Sequence, residues 1–178
     1  SVFALERADG QGALGAFWFN ICAPVVSGGV HRSFFAPLQG GGQGLWFRDD
    51  SGLSLMARSG DPAPGVAPAA PFNLLTNPSL GSGGHVAFTA TLVQGGSVNA
   101  DNDSGMWRSS TTSTVNLLAR EGSPAPDTAS NFSNLAAPAV NASGQVAFFA
   151  FLQPLAGLNA GVWGPTSTSD LGLIARTG

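Results

Sequence analysis

The phrase GQVAFFAFLQ, residues 144–153, recurs as GHVAFTATLVQ at 84–94 and more loosely as VHRSFFAPLQ at 30–39. Repetition constrains this chain more than anything else in it. Each copy must be one supersecondary unit that buries its apolar face against a neighbour. Aligning the copies puts Phe34, Phe88 and Phe148 in register, then Ala36, Ala90 and Ala150, then Leu38, Leu92 and Leu152. Ten residues before each Phe stands a proline (Pro24, Pro78, Pro138), and six before each proline an aromatic (Trp18, Phe72, Phe132). Downstream comes a Gly-apolar-Trp triplet ending at Trp46, Trp107 or Trp163. A closing phrase follows, LSLMARSG, VNLLAREG or LGLIARTG, which aligns Arg58, Arg120 and Arg176.

Each unit reads as four short strands. In VAFTATL, Val86, Phe88, Ala90 and Leu92 alternate with Ala87, Thr89 and Thr91, the period of a strand with one buried face. The closing phrase alternates in the same way through Leu53, Leu55 and Ala57, with counterparts Val115, Leu117, Ala119 and Leu171, Leu173, Ala175. The Trp segment is a third strand. The run leading into each proline is a fourth, with the proline expected at an edge or a bulge. DPAPG (61–65) and SPAPD (123–127) read as extended connectors, and SSTTST (109–114) and PTSTSD (165–170) as polar hairpin loops.

These boundaries predict an extra N-terminal strand at 1–10 and units at 11–60, 61–122 and 123–178. The fold class is all-β, three repeated four-stranded, blade-like units. Propellers close with about four to eight blades. Three therefore imply part of a longer protein, an oligomer that completes a ring, or an open array; a β-solenoid or a sandwich of pooled strands stays open. The chain opens on Ser1 rather than Met, which reads as a processed product or a piece of something longer. Residues 1–10 resemble the closing strand of a further unit.

Composition narrows the function classes. Charged residues make up 10%, against about 25% in ordinary soluble domains. All seven basic residues are Arg, Tyr is absent and the net charge is −3, so the basic footprint of a nucleic-acid binder is missing. No apolar run reaches the ~18 residues of a membrane span. The single Cys22 excludes an intrachain disulfide framework and cysteine zinc clusters. Few charges, no Lys and many Gly, Ser, Thr and Asn lean toward an exported protein.

NASGQVAFFA resembles the NxxGxxAxxx tandem-repeat family of bacterial surface proteins through Asn141, Gly144 and Ala147. Unit 2 keeps Gly84 and Ala87 but has Gly81 for the Asn. Unit 1 has Ser27, Val30 and Ser33 at the three positions. DPAPG and LLAREG also resemble this family, and the resemblance covers about residues 50–178. It implies extracellular or cell-surface placement and transfers no catalytic residue, ligand or cofactor.

The chemistry-bearing residues read mostly as structure. His31 and His85 fit a repeated polar strand-entry position better than a metal pair. The repeated Arg side chains fit strand-end capping of carbonyls or carboxylates better than an anion ring. NADNDSG (99–105) offers Asp101 and Asp103 to calcium, but the EF-hand spacing fails and an Asx-rich turn is the simpler reading. No nucleophile elbow, Walker loop or dinucleotide fingerprint occurs, so no enzyme and no cofactor are expected. Asn102, Asn131 and Asn141 open N-x-[ST] glycosylation sequons.

On the second face of the repeated strand, unit 1 carries Phe35 and Pro37, and unit 3 Phe149 and Phe151. Either another layer covers these aromatics or they form an interface. The expected function is a non-catalytic, extracellular or cell-surface structural repeat protein that associates head to tail with copies of itself, as a filament or ring subunit. The expected contact residues are Val2, Phe3 and Leu5 in the first strand, Phe35, Phe149 and Phe151, and Leu173 and Ile174 in the last. The alternative is a glycan-binding, propeller-like module using the Trp residues and the loops between units.

Overall fold

The computed structural model describes residues 22–38, 41–109, 114–154, 159–167 and 169–177. The described residues form strands and no helix, in three antiparallel sheets, none closed on itself. The first sheet runs β1 (Cys22–Ser27), β2 (His31–Pro37), β3 (Gln43–Asp49), β4 (Gly52–Arg58). The second runs β5 (Phe72–Leu80), β6 (Val86–Leu92), β7 (Ser104–Ser109), β8 (Val115–Arg120). The third runs β10 (Ala139–Val140), β11 (Val146–Leu152), β12 (Ala160–Gly164), β13 (Gly172–Arg176), and β9 (Phe132–Leu135) also pairs β11. Each repeat is thus one meander of hairpin-linked strands. The strand expected at 1–10 and Trp18 lie outside the described residues.

The prolines behave as expected of residues without an N–H. In β1 the pairing register slips between Cys22 and Val25, around Pro24, and in β5 between Thr76 and Ser79, around Pro78. In unit 3 the break is complete, and Pro138 falls between β9 and β10. A proline cannot complete the ladder, so the strand bulges or splits there.

An aromatic trio is the core of a unit. Phe72, Phe88 and Trp107 pack with ring centroids 4.9 to 6.1 Å apart. Phe132, Phe148 and Trp163 repeat the arrangement at 5.0 to 6.4 Å. The glycine two residues before each Trp leaves room for the indole. A Cβ on Gly105 would stand 2.6 Å from the Trp107 ring, and one on Gly161 2.9 Å from the Trp163 ring. The buried indole N–H needs an acceptor. Trp107 Nε1 donates to the Pro64 carbonyl at 2.9 Å and Trp163 Nε1 to the Pro126 carbonyl at 3.1 Å. The connectors therefore cap the core of the unit that follows as well as spacing the units.

Two expectations about strand faces need correction. β6 is buried on both faces rather than one: Phe88, Ala90 and Leu92 pack toward unit 1 while Ala87 packs toward unit 3. Thr89 is buried with its hydroxyl 2.8 Å from Thr76 Oγ1 and 3.0 Å from Asn77 Nδ2, which offsets the cost of enclosing it. The closing strands also do not alternate cleanly. Leu45 pairs Ala57 but Trp46 pairs Leu55, and the same slip recurs at Met106/Trp107 and Val162/Trp163. A bulge residue (Met56, Leu118 or Ile174) sits between, so Leu55 and Ala57 face opposite ways.

Candidate interaction surface

The units stack through a joint that is built twice within the chain. On the leading side stand β2, β3 and β4 of unit 1, with Phe35, Leu45, Phe47, Met56 and Ala57. They share one apolar cluster with Phe72, Leu75, Leu80, Phe88 and Trp107 of unit 2. On the next joint Ala87, Met106, Ala119 and Leu118 of unit 2 meet Phe132, Val146, Phe148 and Trp163 of unit 3, with Val140 packed alongside. The leading strands of units 2 and 3 lie across the unit before: β5 against β1, β2 and β3, β9 against β7, and β10 against β5 and β6.

The hairpin turns at 28–30, 82–84 and 142–144 form the edge of this stack. His31 Nδ1 lies 3.1 Å from the Ser82 carbonyl. A Cβ on Gly84 would stand 3.2 Å from His31 Nε2, and one on Gly144 2.7 Å from the His85 ring. Each histidine thus sits on the glycine of the next unit's turn. Both glycines also hold positive φ, +85° and +78°, where a Cβ is strained. Asn141 secures its turn through Oδ1, which accepts from Ser143 N–H and Gln145 N–H. Ala87 is buried where β10 packs onto β6. Gly84, Ala87, Asn141 and Gly144 thereby each serve a turn or a joint.

Unit 3 carries the outer half of such a joint with no unit against it among the described residues. Phe149 is 39% exposed and Ile174 55%, while their unit 1 counterparts Phe35 and Met56 are buried at 5% and 9%. Phe149 and Phe151 pack edge to face, 5.0 Å apart, with Val162 paired opposite Phe149. Leu173 is half-buried against the unit 3 core instead of facing outward. Phe35, expected at a contact with another copy, is enclosed by unit 2 of its own chain. Val2, Phe3 and Leu5 lie outside the described residues. Val26, Val162 and Ala175 carry no signal as strand residues taken singly. Aligning them with Leu80, Met106 and Ala119 would have drawn them out.

The remaining candidates resolve into local structure. Arg120 Nε donates to the Asn102 carbonyl at 2.8 Å, and Arg176 NH2 to Asn159 Oδ1 at 2.8 Å, which is loop capping. Asp101 and Asp103 sit in an Asx-tied turn: Asp101 N–H donates to Asn99 Oδ1 at 2.9 Å, and Gln94 Nε2 to Asp103 Oδ2 at 2.6 Å. Among the described residues no group of three or more His, Cys, Asp or Glu side chains is placed to hold a metal ion. Beside that turn Glu121 is pushed up to about 7, by burial first and then by the carboxylates of Asp103 and Asp101. Of the sequons, Asn102 uses its Nδ2 on the Ser97 carbonyl and Asn141 its Nδ2 on Gln145 Oε1, while Asn131 is exposed at the edge of β9. Trp46, Trp107 and Trp163 are buried and present no ring to a sugar. An open groove of about 560 Å³ runs between units 1 and 2, bordered by Pro37, Gln43, Leu74 and Asn77. No helix among the described residues is long and apolar enough to cross a membrane.

A chain of three meander sheets joined by repeated apolar seams is an all-β tandem-repeat protein. It belongs to DUF7453, a family of unknown function, which matches residues 1–93 and again 43–178. Neither a curated protein nor a solved structure matches it.

Proposed function

We propose that this chain is a non-catalytic structural repeat protein of the cell surface or extracellular space that associates head to tail with copies of itself. One observation carries the reading: the outer face of unit 3 is built like faces that units 1 and 2 bury, yet it lies open at Phe149 and Ile174. Open apolar sheet faces and unpaired edge strands associate. A head-to-tail contact yields a ring when its rotation closes and a filament when it does not. Blade-like units of this kind form a propeller in the first case and an open array in the second. The lysine-free, charge-poor composition and the NxxGxxAxxx resemblance support placement outside the cell.

Light scattering and negative-stain microscopy of the purified 178-residue chain test the assembly. Rings or fibres that grow with concentration are expected, and a monomer at every concentration would sink the proposal. Protease shaving of intact cells tests the placement, with loss of the protein expected. Among the described residues a glycan-binding function would rest on Phe149 and Phe151, since Trp46, Trp107 and Trp163 are enclosed.

A further inference from the structure

The two joints inside the chain define what a third joint needs, and the chain carries both halves of it. On the outer side, four aligned positions line each joint. They are Phe35, Leu45, Met56 and Ala57 in unit 1, and Thr89, Met106, Leu118 and Ala119 in unit 2; the pairings of β2 with β3, and of β3 with β4, fix the correspondence. In unit 3 the same positions are Phe149, Val162, Ile174 and Ala175. The first two sets are mostly buried, and the third is half-buried to exposed. No charge interrupts it: Arg108, which reaches Asp170 of unit 3 at 2.9 Å, is replaced at its unit 3 counterpart by Gly164.

On the inner side, Leu80 and Val140 occupy one aligned position, each opposite a valine of the next strand, and each packs into the cluster shared with the unit before it. The unit 1 counterpart is Val26, which pairs Arg32 and is 63% exposed. The turn beside it changes in step. Where His31 meets Gly84 and His85 meets Gly144, the two members left over are Gln145 in unit 3 and Val30 in unit 1. Val30 is 38% exposed. The ring and the bare glycine are thus exchanged together for a slimmer amide and an isopropyl group. Arg32 and Arg48, which pair across β2 and β3, put two charges on this side among the described residues, and the Arg32 guanidinium already donates to the carbonyl of Val30 at 2.9 Å.

We infer that a second copy of this chain docks the β1 corner of its unit 1, Val26 and Val30, onto the Phe149–Val162–Ile174 face of unit 3, in the register of the internal joints. This rests on the self-association proposed above and specifies its contact. Because Trp46 is buried in its own chain, the incoming copy offers a corner rather than a whole sheet face. The contact is therefore smaller than the internal joints and is expected to be weaker.

Two blocked chains test it by sedimentation velocity. Phe149→Asp removes the outer half and leaves the inner; Val26→Asp does the reverse. Burying a lone carboxylate in an apolar contact should weaken it by about thirtyfold or more. Each variant alone is expected to be monomeric, and their equimolar mixture is expected to form a one-to-one dimer and stop there. Val26→Asp that still dimerises by itself would mean that two unit 3 faces pair with each other, and the inference falls. Both variants assembling like the parent would place the contact elsewhere, and again the inference falls while self-association stands. A parent chain that stays monomeric overturns both. Thermal melts followed by circular dichroism establish that the variants fold. If an aspartate variant does not, Phe149→Thr, which copies Thr89 of unit 2, and Val26→Thr replace them with the same expectations.

Discussion

Replacing Gly144 by Ala should be costly for two separable reasons, and a matched glycine separates them. Gly144 has φ +78°, and a Cβ there would stand 2.7 Å from two atoms of the His85 ring. Gly29 has φ +79° with nothing within 4 Å of the same construction. Left-handed backbone costs a non-glycine residue about 1–2 kcal/mol, and that is the whole expected cost of Gly29→Ala. Forcing a methyl into a filled seat adds about 1–3 kcal/mol. Gly144→Ala should then lose roughly 2–5 kcal/mol, or about 5–15 °C in Tm for a chain of this size. Chemical denaturation of Gly29→Ala, Gly144→Ala, His85→Ala and the double variant measures it. In the His85→Ala background the ring is gone, so Gly144→Ala should cost only what Gly29→Ala costs. Equal losses for the two single glycine variants, or a Gly144→Ala cost that survives intact without His85, would refute the stacking of turn on turn.

Other outcomes follow from the same geometry. Glu121 is raised in the folded state from near 4.5 to about 7, so folding favours its protonated form. Its contribution is complete at low pH and is lost as pH rises between those values. Glu121→Gln should flatten that fall in a pH series of melts, and an unchanged slope would remove the burial argument. Trp107→Phe keeps a ring but loses the bond to the Pro64 carbonyl; with the cavity it should cost about 2 kcal/mol, and Trp163→Phe the same, by urea denaturation. A large difference between them would mean that the two connectors do not cap alike. Arg32→Val restores the valine that units 2 and 3 carry at Val86 and Val146, and should tighten assembly in sedimentation. Weaker assembly would show that the guanidinium is part of the contact.

Much of this architecture is legible in the sequence because it is local. Alternation along VAFTATL sets which side chains share a face, proline forbids an unbroken first strand, and the glycine before each Trp gives the indole room. Local signals of this kind are enough to mark three units, their strands and the breaks at Pro24, Pro78 and Pro138. Burial at the joints is another matter. Phe35 and Phe149 occupy the same place in the same repeat, yet one is enclosed and the other open, because among the described residues a unit stacks on Phe35 and none on Phe149. The bulge that turns Met56 and Leu118 toward the next unit, and Ile174 outward, is also invisible to a period of two. So is the bond from Trp107 to a carbonyl 43 residues earlier. Phe149, Phe151 and Ile174 were readable as surface candidates from their residue types, while Val26 and Val30 acquire meaning only against Leu80 and Gly84. Periodicity records the direction in which a side chain leaves its own backbone. What meets it there depends on how sheets some sixty residues apart come to stack, and tertiary structure alone decides that.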